Sequence, residues 1–280
     1  MKIEESKTVQ NFSLQNIDDS FDISKEEENL SKKRQELLLL SIEHNGDYFL
    51  IKKNLFLGNI PKMNLKYEQI IKIIGTRFVT IYDKNYPFYL KHIEQPPWVL
   101  YYLGDINIFN NFFIFSVIGK RNYSPIGYIR TNFIVSKLKN TYKKPVIVSG
   151  CANGIDRFAH ESAMNLNLKT VGVLGFGFNY LYPRQNKYLI NKIKKEHLLL
   201  TEYPYFVGIK KHQFKARNRI IAGLSKSVFI IEAGPQSGTL NTAFHAFNND
   251  RDIFCFYDHS DEKSGCNYLI EHDYAKEILI

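Results

Sequence analysis

The stretch Phe112–Ile118, FFIFSVI, runs into Gly119-Lys120-Arg121 and, two residues later, into Ser124-Pro125. A near-continuous apolar run of this length fits a strand buried on both faces, as in a parallel sheet, better than an alternating half-exposed strand. Ser124 is a good N-cap and proline is favoured at the first helical position, so a helix is predicted from Pro125 to about Asn140. The same strand–turn–helix grammar repeats downstream. Pro145–Val148 reads as a short buried strand ended by Ser149-Gly150. A helix follows Asp156, with Phe158, Ala159, Ser162, Ala163 and Leu166 at spacings of three and four. Strands are predicted at Thr170–Leu174, Leu198–Leu200, Val228–Ile231 and, last, Ile253–Phe256, with a helix over Leu240–Asn248. Alternating strands and helices imply right-handed crossovers and a doubly wound, mostly parallel α/β sheet.

Upstream the grammar changes. Residues 1–34 carry eight acids against six bases, hold no period for long, and read as a flexible acidic tail. Gln35–Ile42, QELLLLSI, and Lys66–Ile74 are helix candidates, which suggests a small helical region over 35–75. Val79–Trp98 contains Pro87, Pro96 and Pro97 and reads as an extended linker with turns. The doubly wound domain is then expected over 76–280.

Composition sets the class. Apolar residues make up 44% and charged residues 23%, near globular averages, so a disordered or fibrous chain is excluded. The three cysteines, Cys151, Cys255 and Cys266, form no CxxC pair and give neither a disulfide framework nor zinc spacing. No apolar run reaches bilayer length and no secretory signal is visible, which points to a cytoplasmic protein without membrane contact. The net charge is +9, and with the acidic tail set aside the remainder stands at +11. A basic body suggests a polyanion, nucleic acid first.

In doubly wound sheets ligands bind at the carboxyl ends of the strands, and here those ends are rich in glycine and charge. Gly119-Lys120-Arg121 combines close backbone approach with two cations beside a helix N-terminus, a phosphate-binding arrangement. Ser149–Asp156, SGCANGID, has two glycines, and Asp156 is a natural cap for the next helix. Asp156 and His160 share one helix face; acid–base or metal chemistry is open to them, but without a third ligand the structural role is favoured. Phe214–Ile221, FKARNRII, follows Lys210 and Lys211, so five cations fall within ten residues around one aromatic ring. Lys211, Lys215, Arg217 and Arg219 suit phosphates, Asn218 lies among them, and Phe214 offers a face to an unstacked base. Ser237-Gly238-Thr239 opens a helix and forms a second phosphate nest. GxxxxGK[ST], GxSxG and HExxH motifs are absent, so no catalytic residue, metal or cofactor is predicted.

Taken together, the motifs resemble the DprA/Smf family of DNA-processing proteins. They are YPFYLKHIEQPPWVLYYLGD (Tyr86–Asp105), IGKR (Ile118–Arg121), SGCANGID (Ser149–Asp156), YPRQN (Tyr182–Asn186), TEYP (Thr201–Pro204), FKARNRIIAGLS (Phe214–Ser225) and EAGPQSGTLNTA (Glu232–Ala243). The resemblance implies an extended Rossmann-like fold for the doubly wound sheet, sequence-independent binding of single-stranded DNA, homodimers, and delivery of the strand to the RecA recombinase in DNA uptake, transformation or recombination. It implies DNA-binding roles for Arg121, Lys211, Phe214, Arg217 and Arg219, and it likens the helical region to a SAM-like domain. Lys120 stands where the family usually has Ser or Thr, Tyr257-Asp258 replace a Pro-Gly, and no C-terminal winged helix is expected. A competing reading is a nucleotide or nucleoside 5′-monophosphate hydrolase, or a small-nucleotide sensor, of the related Rossmann-like type. Those hydrolases carry a glutamate at the position occupied here by Thr242, which counts against hydrolysis.

Overall fold

The computed structural model describes residues 23–61, 72, 77–110 and 113–279. The apolar run becomes β3 (Ile114–Ile118), every residue of which is buried. Its two faces feed different cores. Ile114 and Ile118 join one cluster and Phe115 and Val117 another, on opposite sides of the sheet. Burying an aliphatic or aromatic side chain contributes roughly 1.5–3 kcal/mol, and only a strand covered on both faces collects that from consecutive residues. Such a strand needs no alternation, which is why its sequence shows none.

The next elements follow the expected grammar. The helix α4 (Pro125–Thr141) begins with the Ser124 hydroxyl accepting from the Gly127 N–H and proline in its first turn. Then come β4 (Val146–Gly150), α5 (Ile155–Asn165), β5 (Lys169–Val173), α6 (Lys187–Glu196) and β6 (Leu198–Thr201). The chain continues through α7 (Lys211–Leu224), β7 (Ser227–Ile230), α8 (Gly238–Phe247), β8 (Asp252–Cys255), α9 (Gly265–Glu271) and β9 (Lys276–Glu277). The described strands form one nine-stranded sheet in the order β1-β2-β6-β5-β4-β3-β7-β8-β9, with β1 (Arg77–Thr80) and β2 (Val99–Gly104) at one edge. All pairings from β6 to β9 are parallel; β1–β2 and β2–β6 are antiparallel. The chain winds from β3 out to β6 and returns to β7 on the other flank of β3, so the strand order reverses between β3 and β7.

Several expectations are corrected. Val79–Trp98 is not a linker: it holds part of β1 and the short helix α3 (Phe88–Lys91), and it leads straight into β2. Its prolines lie in the turns between these elements, where no ladder hydrogen bond is required. Ile253–Phe256 is not the last strand, because Lys276–Glu277 adds a two-residue parallel strand beyond it. The helix expected to be capped by Asp156 is instead capped by Gly154, whose φ of 80° favours glycine, and Asp156 sits inside the first turn. The first helix is longer than QELLLLSI: α1 spans Ile23–Glu43 and takes in residues assigned to the acidic tail. The candidate at Lys66–Ile74 lies outside the described residues, apart from Lys72. A helix that no sequence pattern announced, α2 (Tyr48–Leu57), is capped by Asp47, which accepts from the Leu50 N–H. Leu37, Leu38 and Leu40 of α1 are fully buried against a cluster containing Phe78 and Tyr101, and Tyr101 donates to the Ser41 hydroxyl at 3.0 Å.

Candidate nucleic-acid interface

The reversal of strand order opens a cleft of about 880 Å³ at the carboxyl ends of β3 and β7. Crevices at this point are the usual ligand site of such sheets. One wall is the loop Gly119–Asn122. Its position is fixed twice: Lys120 N donates to Glu232 O at 3.0 Å, and Ile155 N donates to Lys120 O at 3.2 Å. The Glu232 side chain accepts from the Ser124 N–H at 3.1 Å and from the Ser124 hydroxyl. At Gly154 a Cβ would collide with the carbonyl oxygens of Lys120 and Arg121, so glycine there lets the cationic loop sit down on α5.

The opposite wall is α7. Lys211 and Lys215 are exposed along it, Phe214 is half-buried, and Asn218 donates to Gly238 O at 3.0 Å, pinning α7 to the start of α8. The third wall is that start, where Gly238 and Thr239 open the helix with their first-turn amides, while the N–H of the N-cap Ser237 donates to Gly234 O at 3.3 Å. The Ser237 hydroxyl makes no hydrogen bond among the described residues. Eleven of the twelve predicted positions therefore line one cavity: Gly119, Lys120, Arg121, Lys211, Phe214, Lys215, Arg217, Asn218, Ser237, Gly238 and Thr239.

Arg219 is the exception. Its position on the helix carries it away from the cleft, and it is 5% exposed. It forms a two-pronged ion pair with Glu202, at 2.7 Å from Nη1 and 2.5 Å from Nη2. It also donates to Gln95 O at 2.9 Å and lies over the Tyr48 ring. Its assignment as a DNA contact is corrected to a buried brace joining α7, β6 and the helical region. A cation run in sequence does not reveal which member has a buried carboxylate waiting for it.

Arg217 lies between the two conditions. It lines the cleft yet is only 6% exposed, and Nη1 donates to Val173 O at 2.6 Å. It and Asp156 flank Gly150, where a Cβ would strike both. Burial lowers the Arg217 guanidinium and raises the Asp156 carboxyl, each partly offset by the other's charge. Asp156 and His160 do not act as a pair. The His160 Nε2 lies 2.6 Å from Gly150 O and Nδ1 lies 2.6 Å from the Thr170 hydroxyl, which itself donates to Ile147 O at 2.8 Å. Burial pushes His160 down to about 4, so the ring is neutral at pH 7. Among the described residues no group of three or more His, Cys, Asp or Glu is placed to hold a metal ion. Asp156 is the one carboxylate among the residues lining the cleft, and Thr242 lines it where the hydrolases have glutamate.

Phe214 packs against Tyr182 and Phe176, with ring centroids 5.7 and 6.2 Å away. Tyr182 and Ile209 also line the cleft and were not among the predicted contacts. YPRQN was the available signal for Tyr182; nothing marked Ile209.

The model of the DNA recombination-mediator protein A family matches residues 61–279. The chain belongs to this family. It is 35% identical to DNA processing protein DprA of Bacillus subtilis over 199 residues, 71% of this chain and 65% of that one. It is 41% identical to protein Smf of Synechocystis over 209 residues, 72% of this chain and 52% of that one. The matched segment thus spans between half and two thirds of those relatives. Among solved structures, DprA of Streptococcus pneumoniae aligns with a TM-score of 0.71 and 29% identity, covering 90% of this chain and 93% of that one. DprA of Helicobacter pylori, which binds single-stranded DNA, aligns with a TM-score of 0.66 and 30% identity, covering 74% and 93%. No helix among the described residues is long and apolar enough to cross a membrane.

Proposed function

We propose that the protein binds single-stranded DNA in this cleft, without base preference, and delivers the strand to a RecA-type recombinase. The observation that carries the reading is the joint placement of exposed Arg121, Lys211 and Lys215, the half-buried Phe214 ring and the α8 N-terminus around one cavity at the switch point. Cations and amides neutralise phosphates, which positions a strand without specifying sequence. An aromatic face accepts any base, because every base has a π-face. The cleft has no carboxylate at Thr242 and its single acid faces Arg217, which supports a binding role rather than catalysis. No cofactor enters this reading. A homodimer would present two clefts to one strand and raise apparent affinity through effective concentration. The setting is cytoplasmic DNA uptake, transformation or recombination.

Mobility-shift titration with single- and double-stranded oligonucleotides tests the binding step, with nucleotide hydrolysis assayed alongside. The expected result is a strong single-strand preference and no turnover. Release of product from nucleoside monophosphates would overturn the reading in favour of a hydrolase. Thermal stabilisation by mononucleotides without strand binding would favour a nucleotide sensor. RecA delivery is tested by strand exchange on single strands already coated with a binding protein, where the recombinase should gain activity on addition of this protein.

A further inference from the structure

The cleft is bordered by a feature that strand binding in the cleft alone does not use. Two loops, 176–183 after β5 and 204–210 after β6, lie side by side at the cleft's edge. Gly177 N donates to Val207 O at 2.8 Å and Asn179 N to Tyr205 O at 3.1 Å. The approach is close: at Gly177 a Cβ would collide with the carbonyl oxygens of Pro204 and Tyr205. The pair is anchored to the cleft floor by Asn186, which is buried and donates to Cys151 O at 3.0 Å and Ala152 O at 2.9 Å. On this braced surface Tyr180, Tyr182, Tyr205 and Phe206 are 37, 40, 36 and 46% exposed. Rings left this far in water on a hydrogen-bonded frame offer faces on which unstacked bases can lie.

We infer that this aromatic wall carries the nucleotides of the strand that extend beyond the cleft, as a stacking track continuous with it through Tyr182. The inference rests on the single-strand reading given above. Three observations select this occupant. First, continuity: Tyr182 and Ile209 belong to the wall and line the cleft as well. Second, capacity: about 880 Å³ falls within the roughly 300–1,000 Å³ that seats one compact ligand, whereas single-strand binding folds track about 4–16 nucleotides. The cleft holds a short stretch, so flanking nucleotides must lie on adjoining surface. Third, charge: Arg184 and Lys187 follow the first loop and Lys210 and Lys211 close the second, against one acid in these stretches, Glu202. Glu202 is neutralised by Arg219. Exposed rings interleaved with cations are what a sequence-tolerant single strand needs.

The test compares oligothymidylates of about three and about twelve nucleotides, the second well inside the range that single-strand folds cover. Fluorescence anisotropy would be measured with the full chain and with Tyr180→Ala and Phe206→Ala. Both rings are exposed, so melting temperatures should hold close to wild type. Each variant should lose roughly tenfold in affinity for the long oligonucleotide, the lower part of the stacking range, and nothing for the short one. Equal affinities for the long oligonucleotide in wild type and variants would overturn the wall while leaving the cleft reading intact. Equal losses at both lengths would also overturn it, since the rings would then act through the cleft. A wild-type protein that binds neither length would overturn the single-strand reading itself, and the wall with it. Phe206→Trp gives an independent check. Its fluorescence, above that of the native Trp98, should be quenched by the long oligonucleotide and not by the short one; no quenching by the long one would sink the proposal.

Discussion

Two regions of α7 and its surroundings use the same residue types for opposite ends. The rim of the cleft holds Arg121, Lys211 and Lys215 in solvent, none with an acidic partner in an ion pair among the described residues. The scaffold beneath holds Arg219 against Glu202, Arg217 beside Asp156, and His160 between Gly150 and Thr170. Arg217 and Arg219 are two residues apart, and helical geometry turns them to different sides. A cation at the rim is available to a phosphate because water is all it must give up. A cation in the scaffold is committed, since removing its partner leaves a buried charge. Scaffold substitutions should therefore lower stability and spare DNA affinity in the folded fraction, and rim substitutions should do the reverse.

The largest effect is expected for Arg219→Ala. Breaking a buried ion pair costs about 3–5 kcal/mol, because Glu202 is left charged and buried. Denaturant unfolding should register that loss, while strand affinity of the remaining folded protein stays near wild type. A large affinity loss at unchanged stability would return Arg219 to the interface. A paired replacement, Arg219→Met with Glu202→Leu, should recover most of the stability, because no charge is then stranded.

Acid sharpens the scaffold side further. His160 sits near 4 in the folded protein because burial penalises its charged form. The free side chain titrates near 6.5, so between about pH 6.5 and 4 the unfolded chain takes up a proton that the native protein refuses. Stability from this group is intact above about pH 6.5, falls as pH drops toward 4, and levels off below. The full loss is about 3 kcal/mol, because each tenfold difference in proton affinity between the two states is worth about 1.36 kcal/mol. His160→Gln should flatten that part of the stability–pH curve; an unaltered curve would show that the ring is already charged when folded.

Phe214 tests the boundary between the two regions. It touches Phe176 and Tyr182 and also lines the cleft. Phe214→Ala should cost roughly 1–3 kcal/mol in strand binding. It should cost less in stability than the roughly 3–5 kcal/mol of a fully buried phenylalanine. A melting drop of core size with normal affinity would place the ring wholly in the scaffold. Arg121→Ala is the smallest and most selective change. It should weaken binding equally for all base sequences and lower the slope of log affinity against log salt by about 0.7, with no change in melting temperature.

The parallel half of the sheet was legible because a strand buried on both faces needs no alternation, as Ile114–Ile118 shows. Ser124-Pro125 marked its helix for an equally local reason. The antiparallel edge was missed because the prolines of Val79–Trp98 mask the two short strands at its ends, which find each other only across that stretch: Phe78 meets Tyr101 and Val79 meets Leu100. The strand Lys276–Glu277 was invisible because two exposed polar residues carry no pattern; only the neighbouring β8 makes them a strand. In the cleft, glycines and cations at strand ends announced themselves, since backbone approach and positive charge are local properties. Tyr182 and Ile209 did not, because an aromatic or aliphatic residue in a loop reads as core until its surroundings are known.

The sequence by itself determined the doubly wound sheet, the carboxyl-end location of the cleft, and the loops that wall it. Each depends on patterns within a few residues: hydrophobic runs, caps, glycines and charge. Only the tertiary structure decided which way each side chain on α7 faces. That depends on partners far along the chain: Glu202 lies 17 residues before Arg219, and Gln95 lies 124 residues away. Desolvating an arginine costs several kcal/mol unless a carboxylate and carbonyls meet it inside. Whether they do is a fact of packing, and the order of residues along the helix does not contain it.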